Sequence, residues 1–495
     1  MIGWRLDLDV EFPEGLSPGE SREGNRLLVA RDGLGRLVLR GSALAGVFRR
    51  ALRHRGWQEQ DLDCWFGCSR VGKGDKSQPD SRSLVVIENA IAQVEGGNRA
   101  SVVRTFHARD RHTGTVIKNS LFTIESWPPS AQSRLTLWID PLGPRSTTDV
   151  AEADTRSLLD TLIQEVSSGL LLGGNRSRGL GRLVLRDNGA TVTWYDLTQT
   201  SDLGRWLDDH VAHRCGGALS SSNTTTHSPG SSEPTNSADT NTLRIRLKLG
   251  IPRGQDFVVG DGRGTNADIE PQVVVDATGT ELWRLPGSTL KGAFRAWSSR
   301  LAVREGRTVA DGRTTYDEYR DKHGKPPSGE VLGWGYLPPN AKPLVTDGPG
   351  KECVIASLFG SLHAEGRIHV TDGYAPVHEN NTHRRAHVAI DRITGGAVEG
   401  LFFDNFVIFD PATAIAGERF TFPVEISVRS PEEHEMGWLV GCLHALHSGL
   451  IRIGSSRAAG RLEIVGAVEL NGMESRSMQE LLAGRSFEVR VEEKQ

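Results

Sequence analysis

Residues Gly41–Arg50 read GSALAGVFRR, and residues Gly287–Ala296 read GSTLKGAFRA. Both obey the pattern G-S-x-L-x-G-x-F-R, which fixes six positions within nine. Three further segments recur in the same order. CWFGCSR at Cys64 resembles SLFGSL at Ser357, and HARDRHTG at His107 resembles HVAIDRITGG at His387. GGNRSRGLGRLVL at Gly173 resembles IGSSRAAGRLEIV at Ile453. Collinear recurrence at a long period is the signature of a duplicated unit.

The expected organisation follows from that repeat. Copy one covers residues 1–200 and copy two residues 243–470, with a tail over 471–495. A Ser/Thr-rich stretch, read as a flexible linker over 201–242, joins them. It carries almost no large apolar residues between Gly216 and Thr242 and has nothing to bury. Copy two holds an insertion of about 304–350, rich in Gly, Pro and charge, which reads as a surface excursion. Within each copy an alternating strand (TLRIRLKLGI in copy two) leads through a loop to the G-S helix, with Ser288 as its expected N-cap. A second helix follows, at SLLDTLIQEVSSGLLLGG and at GWLVGCLHALHSGLIRIG. Two helices and several strands per copy predict an α+β chain of two tandem ferredoxin-like (RRM-like) domains with long loop and hairpin insertions.

Composition excludes several classes. The 495 residues exceed what one core usually serves. No apolar run approaches the roughly 18 residues that span a bilayer, and MIGWRLDLDVEF reads as a strand rather than a signal core. The expectation is a cytoplasmic protein with no membrane partner. Five Cys fit a reducing compartment. Cys64 and Cys68 form a single CxxxC, which would need two more ligands to hold zinc; small buried residues are the simpler reading. The net charge of −4 is not the basic excess of a typical nucleic-acid binder. The positive charge is mostly Arg, however, which suits bidentate phosphate contacts.

Two segments concentrate that chemistry. The G-S helix starts offer backbone N–H groups and the hydroxyls of Ser42 and Ser288, with Arg49, Lys291 and Arg295 nearby. Phosphate binding and plain helix packing are both open there. The late loop packs Arg176, Arg178 and Arg182 among glycines, and Arg457 and Arg461 recur in copy two. These residues read either as phosphate ligands or as solvated arginines on a tight turn. Phe402 and Phe403 read by composition as core residues, with base stacking as the alternative.

These motifs resemble the RAMP superfamily of CRISPR effector proteins, and within it the repeated backbone subunit of type III complexes. The family's P-G-S-S-L-K-G segment is matched by Pro286, Gly287, Ser288, Thr289, Leu290, Lys291 and Gly292. Its G-G-x-x-S-R-G-x-G loop is matched by Gly173, Gly174, Ser177, Arg178, Gly179 and Gly181. Its I-D-R-x-T segment is matched by Ile390, Asp391, Arg392 and Thr394, and its LFG triplet by Leu358, Phe359 and Gly360. Copy one departs at Arg40 and Ala45, and copy two at Ala458 and Ala459. Two fused modules look like the fusions of type III-D systems.

The resemblance implies a subunit that binds CRISPR RNA and target RNA beside other type III subunits, including the large polymerase-like one. It makes the segment around Arg392 a β-hairpin wedged into the guide–target duplex. It also implies endoribonuclease activity from an acid in the loop after the first strand. That loop offers Asp268, then Glu270, then Asp261 in copy two, and Glu23 in copy one, where Arg26 stands at the counted position. A divalent metal, Mg2+ or Mn2+, at Asp268 is part of the same expectation. The alternatives are a purely structural guide-binding subunit and a guide-processing endoribonuclease.

Overall fold

The computed structural model describes residues 2–67, 83–94, 101–106, 122–139, 152–215, 224–227, 241–260, 267–307, 309, 353–361, 364–378, 381–390, 396–410, 419–454, 460–472, 474–485 and 487–492. Asp261, Arg392, Arg457, Cys68 and nearly all of the 304–350 insertion lie outside these residues.

Copy one opens with β1 (Ile2–Phe12), β2 (Gly19–Glu23), β3 (Arg26–Val29) and β4 (Val38–Leu39). Helices α1 (Gly41–His54) and α2 (Glu59–Phe66) follow, then β5 (Val85–Ile87), β6 (Ala90–Ile91), β7 (Val102–Phe106), β8 (Phe122–Ser126) and β9 (Ala131–Ile139). The copy closes with α3 (Glu152–Ser167), β10 (Leu170–Leu171) and β11 (Arg182–Asp196). Strands β11, β1, β9 and β5 lie side by side in that order. With one helix in each crossover, this is a ferredoxin-like βαββαβ unit. Leu6, Leu8, Val10 and Phe12 alternate along β1 and are fully buried against α1 and α3.

The expected linker over 201–242 is in part ordered. Helix α4 (Thr200–Cys215) and strand β12 (Thr224–His227) fall within it. Their cause is the back face of the first sheet, which carries Arg5, Asp7 and Trp138 and needs a cover. Trp206 of α4 packs edge-on against Trp138, and Asp209 accepts from Arg5 at 2.7 Å and from Tyr195 at 2.5 Å. Buried charges are tolerated when paired in this way.

Copy two repeats the plan with β13 (Thr242–Gly250), β14 (Asp256–Phe257), β15 (Val273–Val275), β16 (Glu281–Leu285), α5 (Gly287–Arg304), α6 (Val354–Phe359), β17 (Ile368–Val370) and β18 (Gly373–Pro376). It continues through β19 (Thr382–Ile390), β20 (Ala397–Phe409), β21 (Thr421–Arg429), α7 (Glu433–His447) and β22 (Glu463–Gly472). Its sheet runs β22, β13, β21, β17, the same order. The expected tail is structured too. Helix α8 (Ser475–Leu482) buries Met478 and Leu482 in the core, and β23 (Glu488–Val491) adds to β22.

The recurring motifs turn out to be bonded to one another. A Cβ on Gly41 would sit 1.9 Å from the Ile87 carbonyl oxygen, and one on Gly287 2.3 Å from that of Val370. Each G-S helix therefore starts hard against the second strand's backbone, where only glycine fits. Eight residues on, Arg49 donates to the Gly67 carbonyl and Arg295 to the Gly360 carbonyl, each at 2.7 Å. Those glycines end α2 and α6 at φ 73° and 94°. The repeated F-R and F-G motifs are the two ends of one hydrogen bond.

The copies meet through polar contacts. Arg104 of β7 pairs with Asp372, which also accepts from Arg284 at 2.7 Å. Arg176 reaches Glu365 at 2.8 Å, Arg182 reaches Glu425 at 2.7 Å, and Arg244 donates to the Ser168 carbonyl at 2.6 Å. The turn after β15 answers from the other side: the Ala277 N–H donates to the Pro129 carbonyl at 2.8 Å, and Ala277 joins copy one's core.

Candidate RNA interface

The helix-start phosphate site is already filled. Gly287 N–H donates to Asp372 Oδ1 at 2.8 Å, and Gly41 N–H donates to Asn89 Oδ1 at 3.0 Å. A carboxylate from within the fold thus takes the place at α5 that a phosphate would take. Burial alone would raise the Asp372 carboxyl, but Arg284 and Arg104 hold it below the usual carboxylate range. The N-cap position belongs to Pro286, so Ser288 caps nothing and lies half-buried inside the first turn. Ser42 is exposed. Lys291 is buried and donates to the Ile368 carbonyl at 2.9 Å; burial lowers its ammonium to about 7. Arg49 is further held by Glu59 and Asp63. Lys291, Arg49 and Arg295 are therefore parts of the framework.

The arginine loop of copy one is likewise spent on structure. Arg176 and Arg182 face carboxylates of copy two, as described above. Arg178 lies over the rings of Phe122 and Phe106, 4.7 and 5.4 Å from their centroids. The sequence showed arginines among glycines but not the acids waiting in the other copy. Arg461, the counterpart of Arg182, makes no hydrogen bond or ion pair among the described residues, and its Nε is buried without a partner.

What copy two does expose is the antiparallel ribbon β19–β20. Phe402 is 69% exposed, with Val388 opposite it in the register also exposed. Arg384 and Arg385 are exposed on the same ribbon, although Arg384 is paired with Asp404 and Arg385 with Asp256. Phe402 is thus not a core residue: it stands on a two-stranded ribbon with no layer over it among the described residues. Aromatic and guanidinium groups on a narrow ribbon suit base stacking and phosphate contact. The signal for Arg384 and Arg385 was present in THRRAHVAI, whose polar residues fall on both faces and deny burial to either.

The candidate acids lie beside the middle of this ribbon, where Asp404 faces Ala386. Asp268 is exposed; its Oδ2 accepts the Asp404 N–H at 2.9 Å, and its own N–H donates to Asp404 Oδ1 at 3.1 Å. Its Oδ1 has no partner among the described residues. Glu270 is half-buried and accepts the Ala267 N–H at 3.0 Å. Asp404 is paired with Arg384. Glu23 of copy one ends β2 at an exposed hairpin tip, opposite Arg26. Arg26 itself is paired with Glu125. Structure thus brings Asp268 and Glu270 together with the ribbon and leaves Glu23 on a separate hairpin. Among the described residues no group of three or more His, Cys, Asp or Glu is placed to hold a metal ion. The metal expected at Asp268 finds no ligand set among the described residues, and Asp261 of the same loop lies outside them.

Among the described residues no helix is long and apolar enough to cross a membrane. No curated protein matches the chain. A family model described as the RAMP superfamily matches residues 3–184 and 255–463, one span in each ferredoxin-like unit. With the duplicated fold, this places the chain among CRISPR-associated RNA-binding proteins in general: it is a two-copy member of the RAMP superfamily.

Proposed function

We propose that the chain is a backbone subunit of a CRISPR type III RNA-guided effector complex that holds CRISPR RNA and cuts the paired target RNA from its second copy. The observation that carries this reading is the joining of an exposed carboxylate, Asp268, to Asp404, midway along the exposed ribbon and two residues from Phe402. In the proposed step the target's own 2′-OH attacks the adjacent phosphorus in line and the 5′-oxygen leaves, taking its proton from water. The products are a 2′,3′-cyclic phosphate and a 5′-hydroxyl. Asp268 Oδ1 would take the hydroxyl proton, and the ribbon would splay the strand so that the attack can line up.

Target cleavage by the assembled complex tests the reading, with Asp268→Ala, Glu270→Ala and the double variant. Loss of one cut per chain is expected; undiminished cutting at every site would overturn it. The engagement of Asp268 with Asp404 favours a second reading, a purely structural guide-binding subunit, in which RNA retention is intact and no cut maps to the second copy.

A further inference from the structure

We propose that the surface around Arg461 is a docking surface for a different protein, one presenting a buried carboxylate where copy two presents Glu425, and that a second molecule of this chain is excluded from it. The joint between the two copies supplies the template. There Arg182 lies beside Gly169 and reaches across to Glu425 on the back face of the second sheet. Arg461 is the same residue one copy later. Its stem lies over Gly449 as that of Arg182 lies near Gly169. The Gly460 carbonyl accepts the Ile453 N–H at 2.7 Å, as the Gly181 carbonyl accepts the Leu172 N–H at 2.8 Å. What differs is the far side: Arg461 has no acid to meet among the described residues.

Copy one of another molecule does not supply that acid. Glu425 faces Arg246 across β13, and its carbonyl accepts the Thr371 N–H at 2.9 Å. In copy one the matching residue is Thr136, which faces Asp7 and whose carbonyl accepts the Glu88 N–H at 3.0 Å. The rest of the acceptor set changes in step. Arg284 and Tyr374 are paired across β16 and β18, and Val38 and Ile91 hold the same places across β4 and β6. Asp372, which caps α5, becomes Asn89, which caps α1. A guanidinium brought there would lose its water against a threonine, since the neighbouring acid, Asp7, is already bound by Arg5, and an unpaired buried charge is the usual way an interface rejects a wrong partner.

A second obstacle is steric. Thr136 bonds Asp7 at 2.8 Å, Asp7 bonds Arg5 at 2.9 Å, and Arg5 bonds Asp209 of α4. The face that receives Arg182 in copy two is closed by a helix in copy one. The joint therefore forms once within the chain and cannot be repeated between chains. An interface of this head-to-tail kind would otherwise grow into an open filament.

Two measurements test the proposal on the full chain. Sedimentation across a wide range of concentration is expected to return the 53.9 kDa monomer throughout. Growth in mass that Arg461→Glu abolishes would overturn the exclusion. The tagged chain, expressed in its native host, is then recovered with its neighbouring subunits, wild type against Arg461→Glu and Arg461→Lys. Arg461→Glu is expected to cut recovery of a neighbour by at least about tenfold, with Arg461→Lys between the two. An unchanged subunit set in Arg461→Glu would overturn the docking assignment. Its melting temperature serves as the control for folding.

Discussion

Asp268 and Asp404 hold each other by a reciprocal pair of bonds, each N–H donating to the other's carboxylate. The loop after the first strand is thereby pinned to the middle of the ribbon. Asp268→Asn keeps a carbonyl oxygen for the Asp404 N–H and is expected to change stability by less than about 1 kcal/mol, whereas Asp268→Ala orphans that N–H at about 1–2 kcal/mol. Denaturant unfolding reads the difference. If Oδ1 does chemistry, both variants stop cutting equally; cutting by Asp268→Asn alone would make Asp268 a positioning residue.

Arg295 tests the assignment of the F-R motif to framework. Its bond to the Gly360 carbonyl is charge-assisted, so Arg295→Ala is expected to cost about 1.5–3 kcal/mol of stability. RNA affinity measured against salt should keep its slope, because a lost phosphate contact would lower that slope by roughly one unit. A variant that folds as tightly as wild type but shows the lower slope would return Arg295 to the RNA.

The fully buried pairing of Arg104 with Asp372 joins residues from the two copies. Asp372→Asn leaves Arg104 and Arg284 without their counter-charge and is expected to cost about 3–5 kcal/mol. The two copies should then unfold in separate transitions, seen as two calorimetric peaks where wild type shows closer coupling. A single unshifted peak would show that the joint is held elsewhere.

The duplication was legible because its motifs are local: glycines that permit a backbone approach, and an arginine eight residues downstream. The fold class followed from the alternation in the first strand of each copy and from two helices per copy. What could not be read was partnership across long separations. Arg176 and Arg182 look like phosphate ligands until Glu365 and Glu425 appear opposite them, and Lys291 looks like another until the fold buries it. Likewise, α4 hides in a polar stretch because its few apolar residues, Trp206 above all, serve a sheet face whose charges pair only in three dimensions.

Phe402 offers the cleanest separation of binding from folding. It is exposed, so Phe402→Ala is expected to leave stability within about 0.5 kcal/mol. Loss of one stacked base should weaken guide or target binding by about 1–3 kcal/mol, measured with the full chain and single-stranded RNA. Binding unchanged in the variant would remove the ribbon from the RNA path.

Glu14 gives the joint a pH dependence whose sign is fixed. Its carboxyl is buried with Oε2 unpartnered, and burial raises it to about 7 despite the pull of Arg182, with Asp372 and Glu425 adding to the rise. The folded state therefore keeps the proton that the unfolded chain releases near 4.5, and stability falls as pH rises between those values. His369 acts oppositely: burial lowers it to about 4, so its contribution grows as pH rises from there toward 6.5. In wild type the two trends offset. Glu14→Gln removes the first and leaves the second. Urea midpoints of the variant should gain on wild type as pH rises from about 5 to 7, by at most about 3 kcal/mol. Parallel profiles for the two proteins would mean that Glu14 is ionised in the fold and finds a partner there.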